Sequence, residues 1–260
     1  MTNPITVPLW LGGLYFGLFH PQGKRFRWLA LAFVIVFLLL SLSYGKGYYL
    51  APAFPMVFAL GGVGFEHLTV RRRVPRVIFV FLLAGFGALF ASYVLPVLPI
   101  DTFLRFQSAI GITTPRQEVG HTGAIPQHFG DRFGWPEMVA LVAKAYQELP
   151  AVDRQRCGIL TSNYGEAGAI NFFGREHGLP RAICGHNNYF LWGPGDATGE
   201  VMLVYNRARE ELEPIFEEVR EVGRFQHPYV MPYQQDRRLY LCRGLKIPIA
   251  AGWPQLKVFT

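Results

Sequence analysis

Three stretches of this sequence carry side chains whose types and spacing could do chemistry. In Gly45-Lys46-Gly47-Tyr48-Tyr49-Leu50-Ala51-Pro52-Ala53-Phe54-Pro55, one ammonium stands beside two tyrosines in an otherwise apolar run. A compact ammonium suits a phosphate, such as one on a lipid headgroup. On spacing alone, a lysine snorkelling to a membrane interface beside two belt tyrosines is the simpler account. In Asn163-Tyr164-Gly165-Glu166, the carboxylate follows the amide by three residues, the spacing of a capping box. A helix that opens after a strand is also where ligands collect in α/β sheets, although capping alone explains Asn163. The third stretch is the loop from Gly185 to Gly195, with His186, Asn187, Asn188, Tyr189 and Trp192. Amides donate and accept hydrogen bonds, and aromatic faces can stack on the apolar side of a sugar ring. A glycan or acceptor surface and an aromatic loop packed onto its own domain account for this loop equally well.

Other chemistries find little support. Cys157, Cys184 and Cys242 form no C-x-x-C pair, so neither a zinc ribbon nor a redox motif is indicated, and buried free thiols are the expected state. His121 and His128, with Glu118 and Asp131 nearby, lie in a segment read as coil; no metal site is expected there, nor any cofactor. No G-x-G-x-x-G or Walker pattern follows the candidate strands.

The elements that position these residues show in the distribution of charge. Residues 1 to 100 hold eight Lys or Arg and the single acid Glu66, which accounts for the net charge of +7. Residues 101 to 260 are balanced. The basic excess lies in short clusters between apolar runs rather than on a folded face beside aromatics, which argues for membrane topology and against a nucleic-acid partner. Uncharged stretches run over residues 1 to 19, 28 to 45, 47 to 65 and 77 to 100. A helix needs about 20 apolar residues to cross the hydrocarbon core, so the last three qualify and the first is marginal. Nothing in the first resembles a cleaved signal peptide. Lys24, Arg25 and Arg27 separate the first two stretches, and Arg71, Arg72, Arg73 and Arg76 the last two. Short Lys/Arg-rich loops stay cytoplasmic, which predicts that Lys46 and everything from about residue 101 onward lie outside the cytoplasm. The prolines at 52 and 55 predict a break in regular helix there.

The string Gly45-Lys46-Gly47-Tyr48-Tyr49-Leu50-Ala51-Pro52 resembles a segment of the family 39 glycosyltransferases, which include protein O-mannosyltransferases and the aminoarabinose transferase of lipid A. The resemblance continues through Pro126-Gln127-His128-Phe129, Asn163-Tyr164-Gly165-Glu166-Ala167-Gly168-Ala169-Ile170, Gly185-His186-Asn187-Asn188-Tyr189, His227-Pro228-Tyr229 and Cys242-Arg243-Gly244-Leu245-Lys246. It is to the C-terminal region of bacterial members and covers most of the chain. It implies a GT-C-like, multi-pass enzyme of the cytoplasmic (inner) membrane that moves a hexosyl or pentosyl group, with inversion, from a polyprenyl-phosphate donor to an extracytoplasmic acceptor. In that chemistry a carboxylate deprotonates the acceptor hydroxyl while cations stabilise the leaving phosphate. By resemblance, Lys46 and Tyr49 would border the donor phosphate. The family's catalytic acid lies in an outer loop near the N-terminus of the full protein and has no counterpart here: Glu66 sits beside the cytoplasmic arginines, and nothing matches Asp101 to that acid. The chain is therefore expected to be a C-terminal fragment, a split gene product or a mis-started frame, inactive without a missing N-terminal membrane half.

The expected fold class is an α-helical transmembrane region of about four spans followed by a small α/β extracytoplasmic domain. Residues 1–100 form the helices, 101–133 a linker and 134–260 the α/β domain. Apolar spacing predicts a helix from Pro136 to Leu149, strands at Cys157–Thr161, Arg181–Cys184, Val201–Tyr205, Glu218–Arg224 and Leu239–Arg243, a helix from near Asn163 to about His177-Gly178, and a short helix over Arg207–Glu217. Alternation of strands and helices predicts a largely parallel sheet, with Arg237-Arg238 on a solvated strand edge. The rival to a transferase is a non-catalytic, membrane-anchored protein whose outer domain binds a glycan or a partner.

Overall fold

The computed structural model describes residues 3–111 and 125–259. The chain divides into two compact units, residues 1–111 and 112–260, and each is described by itself.

The first unit is helical: α1 (Val7–Phe19), α2 (Arg27–Leu42), α3 (Phe54–Thr69), α4 (Arg73–Val94) and α5 (Ile100–Ala109). Three helical runs, Pro21–Leu42, Gly47–Thr69 and Arg73–Val94, are long and apolar enough to cross a membrane, at 22, 23 and 22 residues. The first apolar stretch of the sequence forms the shorter helix Pro4–Phe19. Two glycines set the contact between α1 and α3. A methyl group on Gly13 would run into the Val57 carbonyl oxygen, and one on Gly61 into that of Leu9. Small residues let helix backbones approach this closely. Phe16, Ala30 and Leu60 pack beside that contact, as do Phe33, Ala53 and Val57. No residue of α4 is fully buried, although Arg76 and Phe79 meet residues of α3.

The break after α2 is narrower than the prolines suggest. Gly45 N–H closes α2 on the Leu40 carbonyl (2.8 Å), and Gly47–Ala53 then forms a 3₁₀ helix that runs into α3. Pro55 falls in the first turn of α3, where the N–H it lacks would have had no helical partner. At the far end, Arg76 donates to Thr69 Oγ1 (2.8 Å) and to the Glu66 carbonyl (3.1 Å), and so caps α3 from the next helix.

The second unit contains α6 (Gln127–Gly130), α7 (Trp135–Gln147), α8 (Ala151–Arg156), β1 (Cys157–Thr161), α9 (Tyr164–Phe173), β2 (Ala182–Cys184), α10 (Asn188–Trp192), β3 (Val201–Tyr205), α11 (Arg209–Leu212), β4 (Phe216–Phe225), β5 (Arg237–Leu245) and α12 (Ile249–Gly252). The strand order is β2-β1-β3-β5-β4. β1 pairs in parallel with β2 and β3, with Ile159 opposite Ala182 and Leu203. β5 is antiparallel to both β3 and β4. The sheet is thus mixed rather than largely parallel, and Arg237-Arg238 begin an interior strand rather than an edge. Their charges are met locally: Arg238 lies 3.7 Å from Glu221 on β4, and Arg237 donates to the Tyr233 carbonyl.

Every residue of β1, β2 and β3 is buried, as expected of strands covered on both faces. Met138, Val142, Ala167 and Ile170 from α7 and α9 cover one face with Ile159, Leu203 and Leu241. Leu212, Phe216 and Trp253 cover the other with Leu160, Val204 and Tyr240. The three cysteines are buried and free; burial pushes Cys157 up to about 11 and Cys242 to about 12. Part of the segment read as a linker is folded. Gln107 belongs to α5, and Ile125 and Phe129 are buried. Glu118 and His121 lie outside the described residues.

Candidate functional site

At the carboxyl end of β1 the chain turns through Ser162 and Asn163 into α9. The capping box is complete: Glu166 N–H donates to Asn163 Oδ1 (3.0 Å), and the Asn163 N–H donates back to Glu166 Oε2 (3.2 Å). Ser162 N–H gives Oε2 a further bond at 3.0 Å. The other carboxylate oxygen accepts from Asn206 Nδ2 at 2.5 Å, and Ser162 Oγ donates to the Asn206 carbonyl. Asn206 follows β3 directly and holds a left-handed backbone (φ +61°), a conformation asparagine tolerates better than most side chains. Its own N–H donates to the Arg238 carbonyl (3.0 Å), so the ends of β1, β3 and β5 are tied together.

Connections leave this sheet in opposite directions from β1 and β3, the switch point at whose carboxyl ends open α/β sheets hold ligands. Here Glu166 lies in that crevice, 6% exposed. Burial pushes its carboxyl up to about 7, against the pull of Asn206, the Asn163 and Ser162 N–H groups and Arg237. Burial, with Glu166 nearby, also raises the Tyr205 hydroxyl. The adjoining open groove is lined by Arg207, Arg209, Arg237 and Arg238. Arg207 pairs with Glu211 (3.2 Å) and Arg209 with Glu213 (2.6 Å), so these charges are largely committed within the unit.

The loop residues singled out by sequence divide into two groups. His186 stays at the carboxyl end, its ring 4.9 Å from that of Tyr164. Its segment pairs with the C-terminal tail: Asn187 N–H donates to the Val258 carbonyl (2.8 Å) and Val258 N–H to that of Gly185 (3.0 Å). Asn187 has φ +52° and ψ −133°, an uncommon backbone for a residue with a side chain, and it opens α10. Asn188 begins α10, which carries Tyr189 and Trp192 toward the amino ends of β1 and β2. There the Tyr189 hydroxyl accepts from Asn171 Nδ2 (3.1 Å), and its ring lies 4.6 Å from Trp192. Asn163, Tyr164, Glu166 and His186 are therefore one cluster, and Tyr189 with Trp192 another.

In the helical unit, Lys46 and Tyr49 share one turn, the Tyr49 N–H donating to the Lys46 carbonyl (3.0 Å). The ammonium lies 6.0 Å from the Tyr48 ring centroid, and the Tyr48 and Tyr49 rings meet edge-on at 4.7 Å. Tyr48, read from sequence as one of two belt tyrosines and not as a site residue, is thus an aromatic neighbour of the ammonium. Ser162 and Asn206 were not singled out from sequence, and Arg237 was read only as part of a solvated strand edge. Their one local signal is an asparagine placed immediately after an all-apolar strand. Among the described residues, no group of three or more His, Cys, Asp or Glu side chains is arranged to hold a metal ion. No protein-family model matches the chain, and neither does any curated protein or solved structure.

Proposed function

We propose that this chain belongs to an integral-membrane glycosyltransferase of the family 39 type, taking a sugar from a polyprenyl-phosphate donor outside the cytoplasm. One observation carries the reading. The Gly47–Thr69 helical run, 23 residues long, has Lys46 at one end and the Arg71–Arg73 cluster at the other. A run of that length matches the thickness of a bilayer core. With the arginines held inside by the charge rule, Lys46 faces the outer leaflet with Tyr48 and Tyr49 at headgroup level. The apolar composition of α4, with no fully buried residue, supports a lipid setting for the helical unit. In this reading Lys46 and Tyr49 border the donor phosphate, the α/β unit lies on the acceptor side, and no residue of this chain is assigned as the base.

Two measurements test it. Reporter fusions after Lys24 and after Thr260 should report the cytoplasm and the opposite side, respectively. In membranes supplied with a polyprenyl-phosphate sugar, Lys46→Ala should lower donor affinity roughly 10- to 100-fold, as befits one charge-assisted hydrogen bond, with Lys46→Arg intermediate. Unchanged donor affinity would leave Lys46 a snorkelling lysine and remove the main support for the transferase.

A further inference from the structure

A second cavity, of about 340 Å³, opens at the other end of the sheet, between the amino ends of β1 and β2 and the loop from Gly193 to Thr198. Its volume lies at the small end of ligand pockets, which run from about 300 to 1,000 Å³. Gln155, Arg181, Trp192, Asp196 and Thr198 line it, all exposed, over a floor that includes Gly158.

Trp192 gives the pocket its character. The indole is 56% exposed, yet it is held in place. Tyr189 backs it at 4.6 Å, and Tyr189 is itself anchored through Asn171, whose Oδ1 accepts the Ala182 N–H at 2.8 Å. The Arg181 guanidinium lies 5.2 Å from the Trp192 ring centroid. An indole kept at the surface by a chain of contacts reaching into β2 is a preorganised platform, whose ordering does not have to be supplied when a ligand arrives.

The polar groups narrow the class of ligand. Arg181 and Asp196 both line the cavity, so it offers a cationic and an anionic group together. A phosphate or carboxylate drawn to Arg181 would share the cavity with the Asp196 carboxylate, and a cation drawn to Asp196 would share it with the guanidinium. A ligand with many hydroxyls satisfies both, because hydroxyls donate to the carboxylate and accept from the guanidinium. Gln155 adds a group that can do either. A sugar ring brings such hydroxyls together with an apolar C–H face that fits an indole.

We infer that the pocket at the amino ends of β1 and β2 binds a neutral saccharide, with Trp192 as stacking platform and Arg181 and Asp196 gripping its hydroxyls. Under the transferase reading this sugar is on the acceptor side; the binding itself does not need that reading.

The test uses the full chain in lipid nanodiscs and saturation-transfer NMR. The probes are methyl α-mannopyranoside, methyl β-glucopyranoside and methyl β-N-acetylglucosaminide at millimolar concentration. At least one should show transfer that Trp192→Ala lowers at least fivefold, Trp192→Phe largely retains and Asp196→Asn weakens. Trp192 is at the surface, and unchanged thermal unfolding would show that the alanine variant folds. Absence of transfer from all three glycosides, transfer indifferent to Trp192→Ala, or displacement by equimolar inorganic phosphate would each overturn the inference. Lys46→Ala separates the two proposals: glycoside binding that persists in it, whatever happens to sugar transfer, belongs to this pocket alone.

Discussion

Asn206 donates from Nδ2 to Glu166 Oε1 across 2.5 Å, tying the loop that leaves β3 to the helix that follows β1. The bond closes the switch-point crevice with the unit's own side chains. Glu166 serves as helix cap and as cross-link between the ends of two parallel strands, and its carboxyl is buried in doing so.

That burial makes stability depend on pH. An unperturbed glutamate titrates near 4.3, and burial moves Glu166 up to about 7. Between those values the folded state binds more protons than the unfolded state, so the contribution is fully present below about 4 and is lost as pH rises through 7. Glu166→Gln keeps an acceptor for the Ser162 and Asn163 N–H groups and removes the titration. Thermal unfolding of the wild-type chain should weaken from pH 5 to pH 8, by on the order of 3 kcal/mol at most, and the variant should flatten that slope. Equal slopes in the two proteins would show that Glu166 does not titrate in this range.

The helical unit offers a paired test at adjacent glycines. A methyl group on Gly61 meets the Leu9 carbonyl, whereas one on Gly62 meets nothing within 4 Å. Gly61→Ala must push α1 and α3 apart and should cost about 1 to 3 kcal/mol. Gly62→Ala should be neutral or stabilising by up to about 1 kcal/mol, because alanine is the better helix former. Thermal unfolding in one detergent, read by tryptophan fluorescence, compares the two.

Gly185 has the corresponding role in the α/β unit. A Cβ there would overlap the Leu256 carbonyl oxygen, at the point where the C-terminal tail pairs with the end of β2. Gly185→Ala should release the tail, lower stability by about 1 to 3 kcal/mol and expose the chain beyond Trp253 to limited proteolysis. An unchanged cleavage pattern would show that the tail is held by other contacts.

The thiols should be inert in the folded protein. Cys157, Cys184 and Cys242 are buried and unpaired, and burial raises all three. Reactivity follows thiolate fraction and access, so a maleimide should label none of the three quickly at pH 7 and all three after unfolding. A chain that labels at only one cysteine when denatured under non-reducing conditions would reveal a disulfide instead.

Local features of the α/β unit were legible where a few neighbouring residues decide them. Val201–Tyr205 is five apolar residues in a row, and the strand has those bounds. Asn163 and Glu166 stand at capping-box spacing, and both halves of the box form. The long apolar runs beyond Lys24 became three helices of spanning length. In each case the determinant is the period or spacing of adjacent side chains, which the sequence states directly.

Pairings between distant segments were decided only by the tertiary structure. β5 enters between β3 and β4 and runs antiparallel to both, which moved Arg237-Arg238 from the expected edge to an interior strand. One loop read as a single aromatic and amide surface became two groups at opposite ends of the sheet, because α10 runs back along β2. Asn206 reached Glu166 across 40 residues, and Gly13 met α3 through a backbone approach that no side-chain pattern announces. Strand order, register and close backbone contact depend on which surfaces bury together, a property of the assembled chain that local spacing does not encode.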